Sequence, residues 1–386
     1  MRDDTDVSRR TALGLVGSGL AGGGLVGTAA GAEEGDDSGS VRVNAGYRSE
    51  SGRRAIDDRA ETVFYDHPTE VLTARTSRAA VRRLRSRPDV RFVERDVEME
   101  AIDQTTPYGI ETVNATDAHA DGDTGNGADV AVIDTGIDSR HPDLADNLGE
   151  GRAFTAGVGT PAWDDANGHG THVAGTVGAI DDDEGVIGVG PDVTLHAVKA
   201  LNASGAGLAS DIAAAIEWTA DQGYGVGNLS LGGGSTSTLR DACDYAQEEG
   251  TLLVAAAGND GPCSGCVTAP ARYPECMAVS ATDENDDLAS FSSTGPEVEI
   301  AAPGDGVYST YYLQGYATLS GTSMAAPHVA GGAAQLVADG YAPGEARSRL
   351  TETAADVGLE DDESGAGRLD VAAALGPRGG AAETGL

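Results

Sequence analysis

Cationic side chains are scarce in this chain: 25 lysines and arginines stand against 62 aspartates and glutamates, for a formal charge of −37. That imbalance argues against nucleic acid or an anionic membrane surface as a partner at ordinary ionic strength, because an acidic body repels phosphate. Lysine is almost missing, with Lys199 the sole instance in 386 residues. Cysteine occurs only at Cys243, Cys263, Cys266 and Cys276. The C-x-x-C spacing of Cys263 and Cys266 lacks the second pair or nearby histidine that a tetrahedral metal set requires, which disfavours zinc. An even count in so short a stretch is compatible with up to two disulfides in an exported protein, with the pairing left open.

The acidity is uneven, since residues 1–102 hold 18 acidic and 16 basic side chains while residues 103–386 hold 44 and 9. A body so charged repels itself unless counter-ions screen it, and the Debye length falls to about 3 Å in molar salt. The composition points to adaptation to high salt. A merely acidic soluble protein is the alternative, against which the near absence of lysine speaks.

The length suggests two domains and an address segment. Ser8-Arg9-Arg10 precedes a weakly apolar, glycine-rich run from Ala12 to Ala30, and Ala30-Gly31-Ala32 supplies small residues for cleavage. We expect a twin-arginine export signal over residues 1–32. A membrane-spanning helix is the competing reading, but the glycines lower both apolarity and helix stability. Residues 41–102 read as a small α+β domain, with strand-like Glu61–Tyr65, an Arg-rich helical stretch at Ser77–Ser86 and strand-like Val90–Glu94. Arg82, Arg83 and Arg85 on that helix either dock on the acidic body or form a solvated face.

From residue 103 onward, apolar runs alternate with helical stretches, as in a mostly parallel α/β fold. Asp129–Ile133, Thr194–Val198, Thr251–Ala256 and Met277–Ser280 are the expected strands, and their unbroken apolar character suggests a sheet covered on both faces. Ligand sites of open α/β sheets lie beyond the carboxyl ends of the strands, which is where Asp134 falls.

Three motifs carry chemistry: Val132-Ile-Asp134-Thr-Gly136, Asn167-Gly-His169-Gly-Thr-His-Val-Ala-Gly175 and Gly321-Thr-Ser323-Met-Ala-Ala-Pro-His-Val-Ala-Gly331. A serine hydroxyl is a weak nucleophile, so Ser323 needs a base; His169 has a pKa suited to proton shuttling, and Asp134 would orient the imidazole. The helical run after Ser323 places it near a helix N-terminus, whose partial positive charge favours an oxyanion. Ala255-Ala-Ala-Gly-Asn259 ends an apolar strand with a further candidate donor. Gly168 and Gly170 are expected to leave room for substrate. His172 and His328 are read as packed residues. An α/β-hydrolase elbow would require G-x-S-x-G, whereas Met324 and Ala325 follow Ser323.

These motifs and their Asp…His…Ser order resemble those of the subtilisin-like serine proteases, the subtilase family, over about Gln104 to Leu375, most closely its halophilic archaeal, halolysin-type members. The resemblance implies a three-layer α/β fold with a mostly parallel central sheet over residues 103–375, preceded by an inhibitory propeptide at 41–102 that also serves as chaperone. Val90-Arg-Phe-Val-Glu-Arg-Asp96 and Gln104-Thr-Thr-Pro-Tyr-Gly109 resemble the junction of propeptide and mature enzyme, with cleavage expected near Ile102 and Asp103. It implies Asn259 as oxyanion donor. Gly205, Ala206, Gly207 and Ser230, Leu231, Gly232, Gly233 would be extended segments that pair with a substrate backbone, as glycines permit. A primary pocket would lie between Leu231–Gly233 and Ala256, Ala257, Gly258, with a third wall at Val267–Ala269.

Asp181-Asp-Asp-Glu184 reads either as a solvated charge run or, by resemblance, as a calcium loop. In the latter case Gln104, Asp143 and Asp182 give side-chain oxygens and Ile180, Glu184 and Val186 give carbonyls. The expected protein is a secreted, self-processed, monomeric endopeptidase that acts on proteins or peptides, with a flexible tail at 376–386 and no substrate-binding appendage. An inactive subtilisin-fold binding protein is disfavoured because every catalytic position is occupied; the motifs do not exclude a dedicated maturation protease.

Overall fold

The computed structural model describes residues 40–96, 104–155 and 161–376. The expected signal segment, the processing junction at Ile102 and Asp103 and all of the tail but Gly376 lie outside the described residues. The chain divides into two compact units, Met1–Glu100 and Ala101–Leu386.

In the first unit, β1 (Ser40–Tyr47), α1 (Glu50–Asp57), β2 (Ala60–His67), β3 (Val71–Ser77), α2 (Arg78–Arg85) and β4 (Val90–Arg95) form an antiparallel sheet of order β2-β3-β1-β4 with two helices. Ser49 and Ser77 cap the helices by accepting from the N–H groups of Gly52 and Ala80. Each helix buries one stripe on one sheet face: Ala55 and Ile56 from α1 and Leu84 from α2 pack on Val43, Ala45, Leu72, Val90 and Val93. Two strands, β1 and β3, go beyond the sequence reading. Arg42, Arg75 and Thr73 interrupt their apolar character and weaken the signal.

The second unit is built on seven parallel strands in the order β11-β10-β9-β8-β5-β7-β6. They are β5 (Asp129–Asp134), β6 (Arg152–Ala153), β7 (Thr194–Lys199), β8 (Val226–Leu229), β9 (Leu252–Ala256), β10 (Cys276–Thr282) and β11 (Val298–Pro303). A hairpin, β12 (Val307–Tyr311) and β13 (Gly315–Leu319), follows. Its helices include the short α3 (Tyr108–Thr112), α4 (Ala115–Asp121) and α5 (Pro142–Ala145), the longer α6 (His169–Gly178), α7 (Ala209–Asp221), α8 (Ser237–Glu248) and α9 (Thr322–Ala338), and then α10 (Pro343–Glu352), α11 (Asp361–Ser364) and α12 (Val371–Leu375).

Strand side chains alternate between the two faces, which is why the apolar runs are continuous. Val130 and Val132 pack with Val173 and Val177 of α6 and with Met324, Ala325 and Val329 of α9. Ala131 and Ile133 pack with Ile212 and Ile216 of α7 and with Leu239 and Ala242 of α8. Each valine, isoleucine, leucine or methionine among them contributes about 1.5–3 kcal/mol when fully buried. The result is the expected three-layer arrangement. The chain leaves β5 toward β7 on one side and β8 on the other, a switch point where a crevice opens at the strand ends, and Asp134 closes β5 there.

One disulfide, Cys263–Cys266, is present; Cys243 and Cys276 are buried free thiols. The hydrogen bond with Cys243, together with burial, pushes the Cys276 thiol well up. That pair is packing rather than reactive chemistry.

Candidate active site

Asp134 is fully buried. Its Oδ1 accepts from the Thr135 N–H at 2.6 Å, and Oδ1 and Oδ2 lie 2.8 and 2.9 Å from His169 Nδ1. A carboxylate only accepts, so Nδ1 carries the proton and Nε2 is left as the basic nitrogen. Burial pulls the His169 pKa down, but the charge of Asp134, its hydrogen bond and the charge of Asp165 outweigh that and leave it raised.

His169 is the first residue of α6, and the turn that presents it is bolted in place. Asp165 Oδ2 accepts from the Gly168 and Thr171 N–H groups at 3.0 and 3.1 Å and from Thr171 Oγ1 at 2.6 Å. Thr135 Oγ1 accepts from the Gly170 N–H at 2.9 Å, which ties α6 to the end of β5. The glycines flanking His169 serve packing and not substrate access, contrary to the sequence reading. A Cβ on Gly170 would run into the Gly136 carbonyl, and one on Gly168, which has φ of 106°, would meet the Tyr311 ring.

Ser323 is the second residue of α9, so its backbone N–H has no partner within the helix. Pro327 lies one turn on and has no N–H for the Ser323 carbonyl. Ser230 Oγ fills that gap at 2.8 Å, while Ser323 Oγ donates to the Ser230 carbonyl at 3.3 Å. Asn228 Nδ2 in turn donates to Ser230 Oγ at 2.9 Å. The Ser323 hydroxyl therefore makes no hydrogen bond to His169 here.

Asn259 has its amide orientation set by its partners. Its Oδ1 accepts from the Thr322 N–H at 2.9 Å and from Thr322 Oγ1 at 3.0 Å, and since a backbone N–H only donates, that atom is the oxygen. The Nδ2 donors are left for a ligand.

Two cavities adjoin at a common wall, Leu231, Gly232 and Gly233. One, of about 470 Å³, is lined by His169, Thr135, Gly205, Ala206, Gly207 and Ser230 among others. The second, of about 410 Å³, holds Ser323, Asn259, Thr322, Ala256, Gly258 and Thr268. Gly233 exchanges both hydrogen bonds with Ala269, at 2.9 and 3.2 Å, so strand alternation turns the polar groups of Gly232 the other way. Ala257 does not line either cavity. It is buried behind the wall, with its N–H on the Val279 carbonyl and its carbonyl accepting from the Thr268 N–H.

The expected calcium residues come together in part. Asp143 is buried, with Oδ2 accepting from the Val186 N–H and Oδ1 from the Tyr316 hydroxyl, both at 2.8 Å. Gln104 turns its amide to the Ile180 and Val186 carbonyls at 2.8 and 3.4 Å. Rotating that amide by 180° would bring a third oxygen to those two, a set of hard donors that fits Ca²⁺. Asp182 and Glu184 lie in the exposed loop, where Asp182 Oδ1 accepts from the Glu184 N–H. Among the described residues no cluster of three or more His, Cys, Asp or Glu side chains is placed to hold a metal, so carbonyls would have to supply much of the coordination.

The sequence reading missed Thr135, Asp165, Asn228, Thr322 and Lys199. Thr135 and Thr322 stood inside the quoted motifs, and Lys199 was noticed only as a compositional oddity.

A buried carboxylate on an imidazole, a serine at a helix N-terminus and an amide donor beside it, all at the switch point of a parallel sheet, define a serine hydrolase. Residues 125–368 match the Subtilase family, peptidase family S8. The chain is 46% identical over 291 residues to an alkaline protease of Alkalihalobacillus alcalophilus, covering 75% of each protein. It is 49% identical over 258 residues to subtilisin Savinase of Lederbergia lenta, covering 66% of this chain and 93% of that one. It is 47% identical over 277 residues to subtilisin DY of Bacillus licheniformis, covering 70% and 99%. The chain belongs to the subtilase family and is a serine endopeptidase. These relatives are bacterial alkaline proteases and subtilisins, and they show the likeness at the level of the family.

Proposed function

We propose that this protein is a secreted, salt-adapted endopeptidase, made as a precursor, in which Asp134, His169 and Ser323 form the catalytic triad. The observation that carries the reading is the two-oxygen grip of Asp134 on His169 Nδ1, because it fixes the tautomer that leaves Nε2 basic. For reaction, the Ser323 side chain turns from the Ser230 carbonyl to Nε2, a hydrogen bond of the kind that tightens when substrate binds. As Oγ attacks the scissile carbonyl, His169 takes its proton. The resulting oxyanion accepts from Asn259 Nδ2 and the Ser323 N–H. Collapse breaks the C–N bond, the leaving amine takes the proton from His169, and a water activated by the same imidazole hydrolyses the acyl-enzyme.

The outward-facing backbone of Gly232 and the segment Gly205–Gly207 would pair with the peptide on either side as an added strand, which tolerates many sequences and favours broad endoproteolysis. Calcium, bound by Gln104, Asp143, Asp182 and the carbonyls of Ile180, Glu184 and Val186, would clamp the start of the mature chain to the segment after α6. The domain at 41–102 would act as the protein's own inhibitor and folding aid until cut near Ile102 and Asp103. The Ser8-Arg9-Arg10 segment would direct export, and the charge of −37 would suit a saline medium. Among the described residues no helix is long and apolar enough to cross a membrane.

The test is casein hydrolysis in molar salt by wild type and Ser323→Ala, with the N-terminus of the protein recovered from the medium. Activity in the wild type alone, with a new N-terminus near residue 103, is expected. An active Ser323→Ala overturns the triad; activity confined to a single partner protein would favour a dedicated maturation protease.

A further inference from the structure

Lys199 is fully buried, and it is the only lysine in a chain whose other 24 cationic side chains are arginine. It ends β7 directly opposite Asp134, in register with it, and its ammonium donates to the Thr135 carbonyl. Thr135 is the residue whose N–H holds Asp134 Oδ1 and whose hydroxyl holds the first turn of α6. The ammonium thus stands behind the residue that fixes both the carboxylate and the histidine.

The charges that face Lys199 are acidic. Asp134 closes β5, and Asp164 and Asp165 lie in the segment that leads to α6; Arg152 on the neighbouring β6 stands instead over the rings of Phe154 and Trp218. Burial leaves the Lys199 pKa lowered overall, against the opposing pull of the Asp165, Asp134 and Asp164 charges, which favour the charged form. Two buried carboxylates near one imidazole, with no cation, would hold that imidazole protonated further into the alkaline range than a base should be. A guanidinium, planar and with five donors, keeps the charge but fits less well than an ammonium where one backbone carbonyl is to be met. That explains why a lysine survives here in a chain otherwise depleted of it.

We infer that Lys199 is a positioning residue of the active site, which holds the Thr135 carbonyl and offsets the charges of Asp134 and Asp165 so that His169 is free to act as base at neutral pH. The inference rests on the triad proposed above. Lys199 touches neither substrate nor the reacting atoms.

The test compares the pH dependence of kcat/KM on a peptide anilide for wild type, Lys199→Met and Lys199→Arg in molar salt. Each protein is also labelled with a sulfonyl fluoride to confirm a reactive Ser323. Loss of the cation should move the acid limb of Lys199→Met upward by about 0.5 unit or more. Lys199→Arg should keep the limb closer to its wild-type position. A Lys199→Met limb coincident with wild type, in a protein whose Ser323 still labels, overturns the inference alone; absence of labelling in wild type overturns the triad and the inference together. Should Lys199→Met not fold, wild type grown on ε-¹³C-lysine gives a single resonance. That resonance is expected to step at the pH of the acid limb and to lose the step in His169→Ala, and a resonance blind to His169 overturns the inference.

Discussion

Ser230 and Ser323 exchange two hydrogen bonds, each hydroxyl donating to the other's carbonyl, at 2.8 Å from Ser230 and 3.3 Å from Ser323. The pairing exists because Pro327 leaves the Ser323 carbonyl without its helical partner. The Ser230 side chain thus seats the first turn of α9, a contact that reading Ser230 as part of an extended backbone segment did not anticipate.

Ser230→Ala should leave that carbonyl unsatisfied at a cost of about 1–3 kcal/mol. Thermal unfolding in high salt should show a Tm lower by several degrees, and an unchanged Tm would mean that water replaces the hydroxyl. Because the Asn228 amide loses its acceptor as well, Asn228→Ala and the double variant should show less than additive losses.

Asn259→Ala should lower kcat by about 10²–10³ with little change in KM, a figure carried over from subtilisin's own oxyanion donor rather than obtained from this geometry. Its Nδ2 is free while its Oδ1 is taken by Thr322, so Asn259→Asp, which keeps the acceptor and removes the donor, should lose as much. Steady-state kinetics on a peptide anilide separate kcat from KM and check both.

The histidines set two pH dependences of different sign. His169 is raised by Asp134, so activity should fall as pH drops through a value above 6.5, and Asp134→Asn should abolish most activity rather than shift that limb. The stability that His169 gains from this pairing is complete below about pH 6.5 and fades as pH rises through its raised pKa. His172 and His328 are fully buried, and burial lowers both to about 4. The folded state keeps them neutral while the unfolded chain binds protons, so stability is present above about 6.5 and is lost as pH falls toward 4. The slope is at most about 1.4 kcal/mol per pH unit for each. Denaturant midpoints between pH 4 and 8 measure it, with His172→Gln expected to flatten the acid side.

Chelation should lower the Tm in high salt if calcium ties Gln104 and Asp143 to the 180–186 segment. Asp143→Asn should have a lower Tm to begin with and lose most of the response to EDTA. An EDTA-indifferent wild type would contradict the calcium site.

What the sequence made legible follows from its physics. Strands β5, β7, β9 and β10 were readable because both of their faces are buried, which turns them into unbroken apolar runs ending in polar residues such as Asp134. Strand β8 was not readable, as Gly227 and Asn228 occupy half of its four positions, and β6 is two residues long. The Asp134–His169 pairing was implied by motif order. The partner of the Ser323 hydroxyl was not, because it depends on where Pro327 removes a donor and on which loop then fills the gap. Lys199 stood out in composition, but only the β5–β7 register shows what it faces. The Cys263–Cys266 bridge was one of several open pairings until the turn at Gly265 brought the two side chains together.

The most direct measurement of the central claim is covalent labelling with a sulfonyl fluoride at neutral pH in molar salt, followed by peptide mass analysis of wild type, His169→Ala and Asp134→Asn. The account predicts one adduct, on Ser323, formed rapidly in wild type and slowed at least about 10³-fold when the imidazole is removed. An adduct on another serine, or equal labelling of Ser323 without His169, would contradict it.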